Sequence, residues 1–229
     1  MNKKLTRREV MAILGAAGSA VALGCGDSPT NPSSTGSSTT TGTSGARCAI
    51  APTETIGPYP SLTDLFRNDV REDRQGTLLT LTMTVVNANA NCAPIANANV
   101  EIWHADAAGD YSEYGTQTAA TFLRGIQTTN ANGDVTFTTV YPGWYQGRAT
   151  HIHVEVTING RSVKATQIAF PESINNAVHA QGVYARRGVN PMSNAADGIF
   201  ADSLTAELVT PTGSPSNGYS ASFQIGVSV

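Results

Sequence analysis

Two histidines set one residue apart give the chain its first chemical signal. They close the stretch Pro142-Gly143-Trp144-Tyr145-Gln146-Gly147-Arg148-Ala149-Thr150-His151-Ile152-His153 and open a run that alternates to Ile158. On a strand, successive side chains point to opposite faces, so Ile152, Val154, Val156 and Ile158 would pack inward. His151 and His153 would then share the other face, about 7 Å apart along the strand. Neutral imidazoles at that spacing can hold one metal ion. Alone, such a pair on a polar face is more often solvated than ligating, so the neighbouring residues decide. Pro142-Gly143 is a turn signal that aims Trp144 and Tyr145 back towards the histidine strand. Arg148 adds a permanent cation just before it.

A second aromatic and acidic stretch lies upstream, Glu101-Ile102-Trp103-His104-Ala105-Asp106-Ala107-Ala108-Gly109-Asp110-Tyr111-Ser112-Glu113-Tyr114-Gly115. Together the two motifs, in this order, resemble the signatures of the intradiol ring-cleavage dioxygenases, over roughly Thr53 to Phe170. Glu54-Thr55-Ile56-Gly57-Pro58-Tyr59-Pro60 resembles the family's T-x-G-P-Y element, although by itself Gly-Pro-Tyr reads as a turn. By position, the resemblance implies Tyr111, Tyr145, His151 and His153 as ligands of Fe(III). Phenolate is a hard anionic donor that suits a trivalent ion better than zinc, and such an ion holds a phenol of pKa near ~10 ionised.

The same resemblance implies a catechol and O2 as reactants, with ring cleavage between the two hydroxyl-bearing carbons to a cis,cis-muconate. Tyr145 matches the tyrosine that the substrate displaces, Tyr111 the one that stays. Arg148 matches the arginine beside the bound ring, where a cation stabilises developing charge, and Gln167 a polar residue near it. The chain departs from the familiar catechol enzymes in lacking a helical dimerisation segment between Arg47 and Thr77. His104 and Asp106 flank the pocket motif, but no cation is evident for a substrate carboxylate. The likeness is to an exported, monodomain branch.

These residues need strands to position them. Leu79, Leu81, Met83 and Val85 alternate with Thr80, Thr82 and Thr84, a half-buried strand. Further strands are expected at Asn99–His104, from Phe122-Leu123-Arg124-Gly125, at Asp134–Tyr141 after a hairpin-type turn at 130–133, at Ser162–Phe170 and at Ala221–Val229. Leu62 to Asp73 reads as a loop with a helical turn, and 87–98 as a loop. Many short alternating strands separated by turns predict an all-β fold, an antiparallel β-sandwich; the resemblance implies a transthyretin (prealbumin)-like core. Pro171 to Gly218 reads as a largely irregular covering lobe with a short helix around Ile174–Gln181.

Of 229 residues, 40% are hydrophobic, enough for a core, and the net charge of −3 gives no basic stripe for nucleic acid. Residues 1–24 read as a signal peptide; Thr6-Arg7-Arg8-Glu9-Val10-Met11 resembles a twin-arginine export signal. Ala22-Leu23-Gly24-Cys25 resembles a lipoprotein cleavage site, with Leu23 one place nearer the cysteine than usual. Membrane attachment through a lipidated Cys25 is expected. Residues 25–46, rich in Ser, Thr and Gly, read as a flexible tether, and 47–229 as the folded domain. Of three cysteines, lipidation of Cys25 leaves Cys48 and Cys92, either bridged in an oxidising compartment or as two buried thiols.

Two rival readings use the same residues. One is a lipid-anchored, non-catalytic β-sandwich that binds carbohydrate or protein. The other is a zinc hydrolase built on the two histidines, which lacks a carboxylate at helical spacing. The discriminating feature is the tyrosine pair, since a binding module has no reason to set Tyr111 and Tyr145 beside His151 and His153.

Overall fold

Strict alternation becomes strand almost wherever it occurs. The computed structural model describes residues 48–229, so the expected export signal, Cys25 and tether lie outside the described residues. Among the described residues nine strands form: β1 Leu78–Asn87, β2 Ala93–Pro94, β3 Asn99–Trp103, β4 Arg124–Thr128, β5 Asp134–Val140, β6 His151–Ile158, β7 Arg161–Ala169, β8 Thr212–Ser214 and β9 Gly218–Val227. Two helices, α1 Glu172–His179 and α2 Leu204–Glu207, lie between β7 and β8.

The strands make two sheets. One has the order β2-β1-β9-β8, with β5 also paired to β1; the other runs β4-β3-β6-β7. Leu79, Leu81, Met83 and Val85 from β1 and Phe137 from β5 face Val100, Ile102, Ile152, Val154, Val156 and Ile168 across one core. Burying such side chains is the dominant stabilising term, roughly 1.5–3 kcal/mol each relative to exposure. The two-sheet sandwich is thus the expected one, with one departure from antiparallel pairing. β1 and β9 run parallel, Leu79 opposite Tyr219 through Asn87 opposite Val227. A parallel pair needs a long crossover, and the chain between these strands supplies it.

Several local expectations shift. The helix begins earlier than expected, directly after Pro171, whose fixed φ of −57° suits a helix start. Residues 62–73 form no helical turn; Phe66 and Asp69 instead make isolated bridges to Ile126 and Thr138. β4 starts two residues later than expected, and Phe122 and Leu123 ahead of it are buried. The lobe is tied to the end of β7 by Val209 N–H to the Ala169 carbonyl (2.9 Å), and to the residue after that strand by Asn194 Nδ2 to the Phe170 carbonyl (2.8 Å). Cys48 and Cys92 form a disulfide with Cα atoms 5.6 Å apart, which removes the reading as two free thiols.

Candidate active site

One row of residues crosses the whole four-stranded sheet. Arg124 lies opposite Trp103, Trp103 opposite His153, and His153 opposite Gln167. Opposed residues share a face, and this is the face turned away from the core. His151 belongs to the next row, opposite Ala169. The sequence suggests a polar, solvated surface here, yet His151 and His153 are buried. Residues 53–61, the loop 104–123 and the lobe after β7 cover them.

The covering loops interlock through glycines. A Cβ on Gly143 would overlap the Asp106 carbonyl, and one on Gly109 (φ +87°) would overlap the Trp144 carbonyl. Asp106 Oδ1 accepts from the N–H groups of Ala108 (2.9 Å) and Asp110 (3.0 Å), shaping the turn that presents Tyr111. Close approach of these loops sets Tyr111 and Tyr145 with ring centroids 5.7 Å apart. Gly57 (φ +74°) is pressed against the His153 imidazole, its missing Cβ 2.8 Å from Cε1. The T-x-G-P-Y turn is therefore part of the site wall.

All four expected ligand residues converge. Ring centroids lie 4.7 Å apart for His151 and His153, 5.7 Å for Tyr145 and His151, and 6.3 Å for Tyr111 and His153. Trp103 stacks on His153 at 4.9 Å with planes 1° apart and fixes its orientation. His151 Nδ1 must donate to the Ala149 carbonyl at 2.6 Å, so its Nε2 offers a lone pair. That Nε2 faces the Nε2 of His153 at 3.1 Å. Two adjacent donors, each about 2.1 Å from one ion, would stand about 3 Å apart. The Tyr111 hydroxyl, which faces this cluster, is buried without a hydrogen-bond partner among the described residues. Buried polar groups are nearly always satisfied, so the donor set fits a cation. Among the described residues no three His, Cys, Asp or Glu side chains gather, so a metal here would draw on the phenol oxygens.

Burial governs the protonation of the bare site. It pushes the Tyr111 phenol well above its ordinary value, with the Tyr145 phenol adding to the shift. Burial also raises Tyr145, opposed by the Arg148 guanidinium. His151 is held down to about 3 by burial and then by Arg148, and His153 is depressed for the same reason with His151 as second cause. Both imidazoles are thus neutral, the form that ligates.

Arg148 and Gln167 also meet: Arg148 Nη2 donates to Gln167 Oε1 at 2.6 Å, and Gln167 Nε2 donates to the Thr55 carbonyl at 2.9 Å. Arg148 Nη1 stands 3.5 Å from the Tyr145 hydroxyl. Trp144 departs from expectation, pointing instead to the lobe, where its Nε1 donates to the Gly188 carbonyl (2.9 Å) under the Arg187 guanidinium. His104 is sequestered between the Ala105 carbonyl and Thr139 Oγ1 and stays off the four-ring cluster.

Sequence reasoning did not assign Tyr59, Asp197 or Phe200 to the site. Tyr59 stacks on Tyr111 at 4.6 Å and meets Tyr114 and Tyr145 edge-on; its place in the T-x-G-P-Y turn was the available signal. With Tyr111 and Tyr114 it lines a cavity of about 120 Å³. Larger clefts of about 500 and 470 Å³ lie against Glu54 and Ser203 and against Arg186 and Arg187, and none of the four rings lines them. Arg124, buried beside Tyr111 and Tyr114, is paired with Glu113 at 3.3 Å.

A family model described as Dioxygenase matches residues 55–187. A catechol 1,2-dioxygenase of Acinetobacter baylyi is 32% identical over 134 residues, 49% of this chain and 42% of that protein. The chain thus spans about two fifths of the length of that curated relative. Among solved structures, an intradiol ring-cleavage dioxygenase from Tetranychus urticae is 32% identical with a TM-score of 0.74, covering 79% of this chain and 95% of that one. The dioxygenase domain of a carbohydrate-binding fusion protein from Streptomyces sp. SirexAA-E is 27% identical with a TM-score of 0.60, covering 79% and 99%.

Proposed function

The chain belongs to the intradiol ring-cleavage dioxygenase family, and from that premise we propose that it is a non-haem Fe(III) enzyme. It would insert both atoms of O2 into a catechol-type ring and cleave it between the two hydroxyl-bearing carbons. One observation carries the reading: two neutral imidazoles spaced as adjacent ligands face two phenols, one of them with a buried, unpartnered oxygen. The ligands would be Tyr111, Tyr145, His151 and His153. When bound, ferric iron would supply a Lewis acid that takes up the catecholate oxygens and a coloured phenolate-to-metal charge transfer.

The protein's own groups divide the remaining work. Tyr111 is buried and clamped under Tyr59, so it is the phenol that stays. Tyr145 is only half-buried, and Arg148 Nη1 waits 3.5 Å from its oxygen, a donor for the phenol when substrate displaces it. Gln167 holds the far edge of the same guanidinium, keeping a cation beside the position where negative charge grows on the ring. The covering loops exclude water, which strengthens each of these interactions.

The test is oxygen uptake by iron-loaded protein with a panel of catechols, with products identified by mass. Tyr145→Phe should weaken the visible band while metal stays bound, because three ligands persist. Arg148→Ala should leave the band in place and slow turnover by about 10²–10³-fold, the cost of one lost oxyanion donor. A colourless protein that takes only zinc would falsify the iron site. A coloured protein inactive on every catechol would overturn the substrate class alone.

A further inference from the structure

The lobe after α1 returns one carboxylate to the site. Asp197 follows a single helical turn at Asn194–Ala196, capped by the Ser193 hydroxyl, and is 1% exposed. Its Oδ2 accepts from Arg148 Nε at 2.8 Å and from the Ala149 N–H at 2.7 Å, and its Oδ1 accepts from the Ile199 N–H at 2.9 Å. The Phe200 ring lies 5.7 Å from the guanidinium carbon of Arg148 and 6.4 Å from the His151 ring. Both lobe residues fall beyond the 55–187 span that matches the family model.

The three nitrogens of Arg148 are thereby divided. Nε goes to Asp197, Nη2 to Gln167, and Nη1 is left facing Tyr145. A guanidinium is planar, so fixing Nε and Nη2 fixes the direction of Nη1. The Asp197 contact is charge-assisted on both sides, which makes it stronger than the amide contact to Gln167. It also supplies a buried anion next to a cation that would otherwise stand unpaired beside a metal.

We propose that Asp197 is a positioning residue that acts through Arg148, so that the lobe after β7 completes the catalytic site. The turnover part of this rests on the dioxygenase reading above. Asp197→Asn keeps the side chain's shape and one backbone contact while removing the charge. It should lower kcat by about 10–100-fold, the usual cost of losing an outer partner, with KM moved less than about twofold if ground-state binding is untouched. Added to Arg148→Ala, it should cost nothing more, because its route to the chemistry is already gone.

Multiplying losses in the double variant would overturn the proposal, and so would a single variant at wild-type kcat; both leave the dioxygenase reading standing. A wild-type protein inactive on every catechol defeats that reading first. A metal-free arm separates the two: the Arg148 Nε–H nitrogen-15 signal should be protected from exchange in the wild type and lose protection in Asp197→Ala, which removes the acceptor that an asparagine oxygen could still supply. An unchanged signal there overturns the positioning claim irrespective of activity. Should Asp197→Asn not fold, Arg148→Lys serves. It keeps the charge without the fork and should be nearly as slow as Arg148→Ala, and a wild-type rate would refute an orientational role.

Discussion

At the scale of single residues, the site depends on backbones that come closer than a side chain allows. Gly143 is the sharpest case, because the Asp106 carbonyl occupies the place of its Cβ. We expect Gly143→Ala to destabilise by about 1–3 kcal/mol, as overpacking does, and to weaken iron retention by separating the loops that carry Tyr111 and Tyr145. Gly147→Ala is the control: nothing lies within 4 Å of its Cβ, and only its φ of +88° opposes the change. Denaturant unfolding of both variants checks this; equal losses would mean that the carbonyl contact is unimportant. The residues assigned from sequence, Tyr111, Tyr145, Arg148, His151, His153 and Gln167, all sit in or beside short motifs. Tyr59 was visible only as a turn residue. Asp197 was not legible, since a carboxylate in an irregular stretch has no periodicity and its partner lies 49 positions away.

At the scale of elements, alternation located the strands because one face of each is buried and the other is not. It could not tell that the histidine face has its own roof, for that roof is made of loops whose backbone has no period. Parallel pairing of β1 with β9 was equally hidden, since alternation is the same in either direction. One link between elements was open to cysteine counting. The Cys48–Cys92 bridge ties the chain before Ala49, whose carbonyl crowds Gly226 on β9, to the turn after β1. It closes a loop of 44 residues. Cys48→Ser with Cys92→Ser should therefore cost about 2–4 kcal/mol. The loss should appear in thermal unfolding, with the proposed iron site retained in the folded fraction, because none of the four rings is covalently tied to the bridge.

Across the whole molecule, all four histidines are buried and held below their ordinary values, His104 to about 4, mainly by burial. The unfolded chain binds their protons near pH 6.5 and the folded chain does not. Between those values the unfolded state holds more protons, so stability is full above about pH 6.5 and falls as pH drops towards 4. Glu54, Glu101 and Glu207, raised chiefly by burial, act in the opposite sense just above their ordinary range. A substitution isolates one histidine: His104→Gln should flatten the pH dependence of metal-free unfolding by up to roughly 1 kcal/mol per pH unit between about 4 and 6.5. An unaltered slope would show that His104 does not titrate between the two states.

The remaining whole-molecule question is where the protein acts, and here the proposal rests on sequence with support from one bond. Disulfides persist in oxidising compartments and are rare in the cytosol, so the Cys48–Cys92 bridge accords with export led by Arg7 and Arg8. We propose that the exported protein is acylated at Cys25 and held at the cell envelope, which would place ring cleavage where aromatic compounds first meet the cell. A single acyl chain binds membranes only marginally, so firm retention would require more than one chain. Expressed in a bacterium with both pathways, the wild type should partition with membranes and incorporate labelled palmitate. Cys25→Ser should be exported, unlabelled and soluble, with the catechol activity of the wild type, because residue 25 lies outside the matched span of 55–187. Replacing Arg7 and Arg8 by lysine should leave the protein in the cytoplasm and the Cys48–Cys92 pair reduced. Membrane partition unchanged by Cys25→Ser would rule out the lipid anchor, and an exported double-lysine variant would rule out the twin-arginine route.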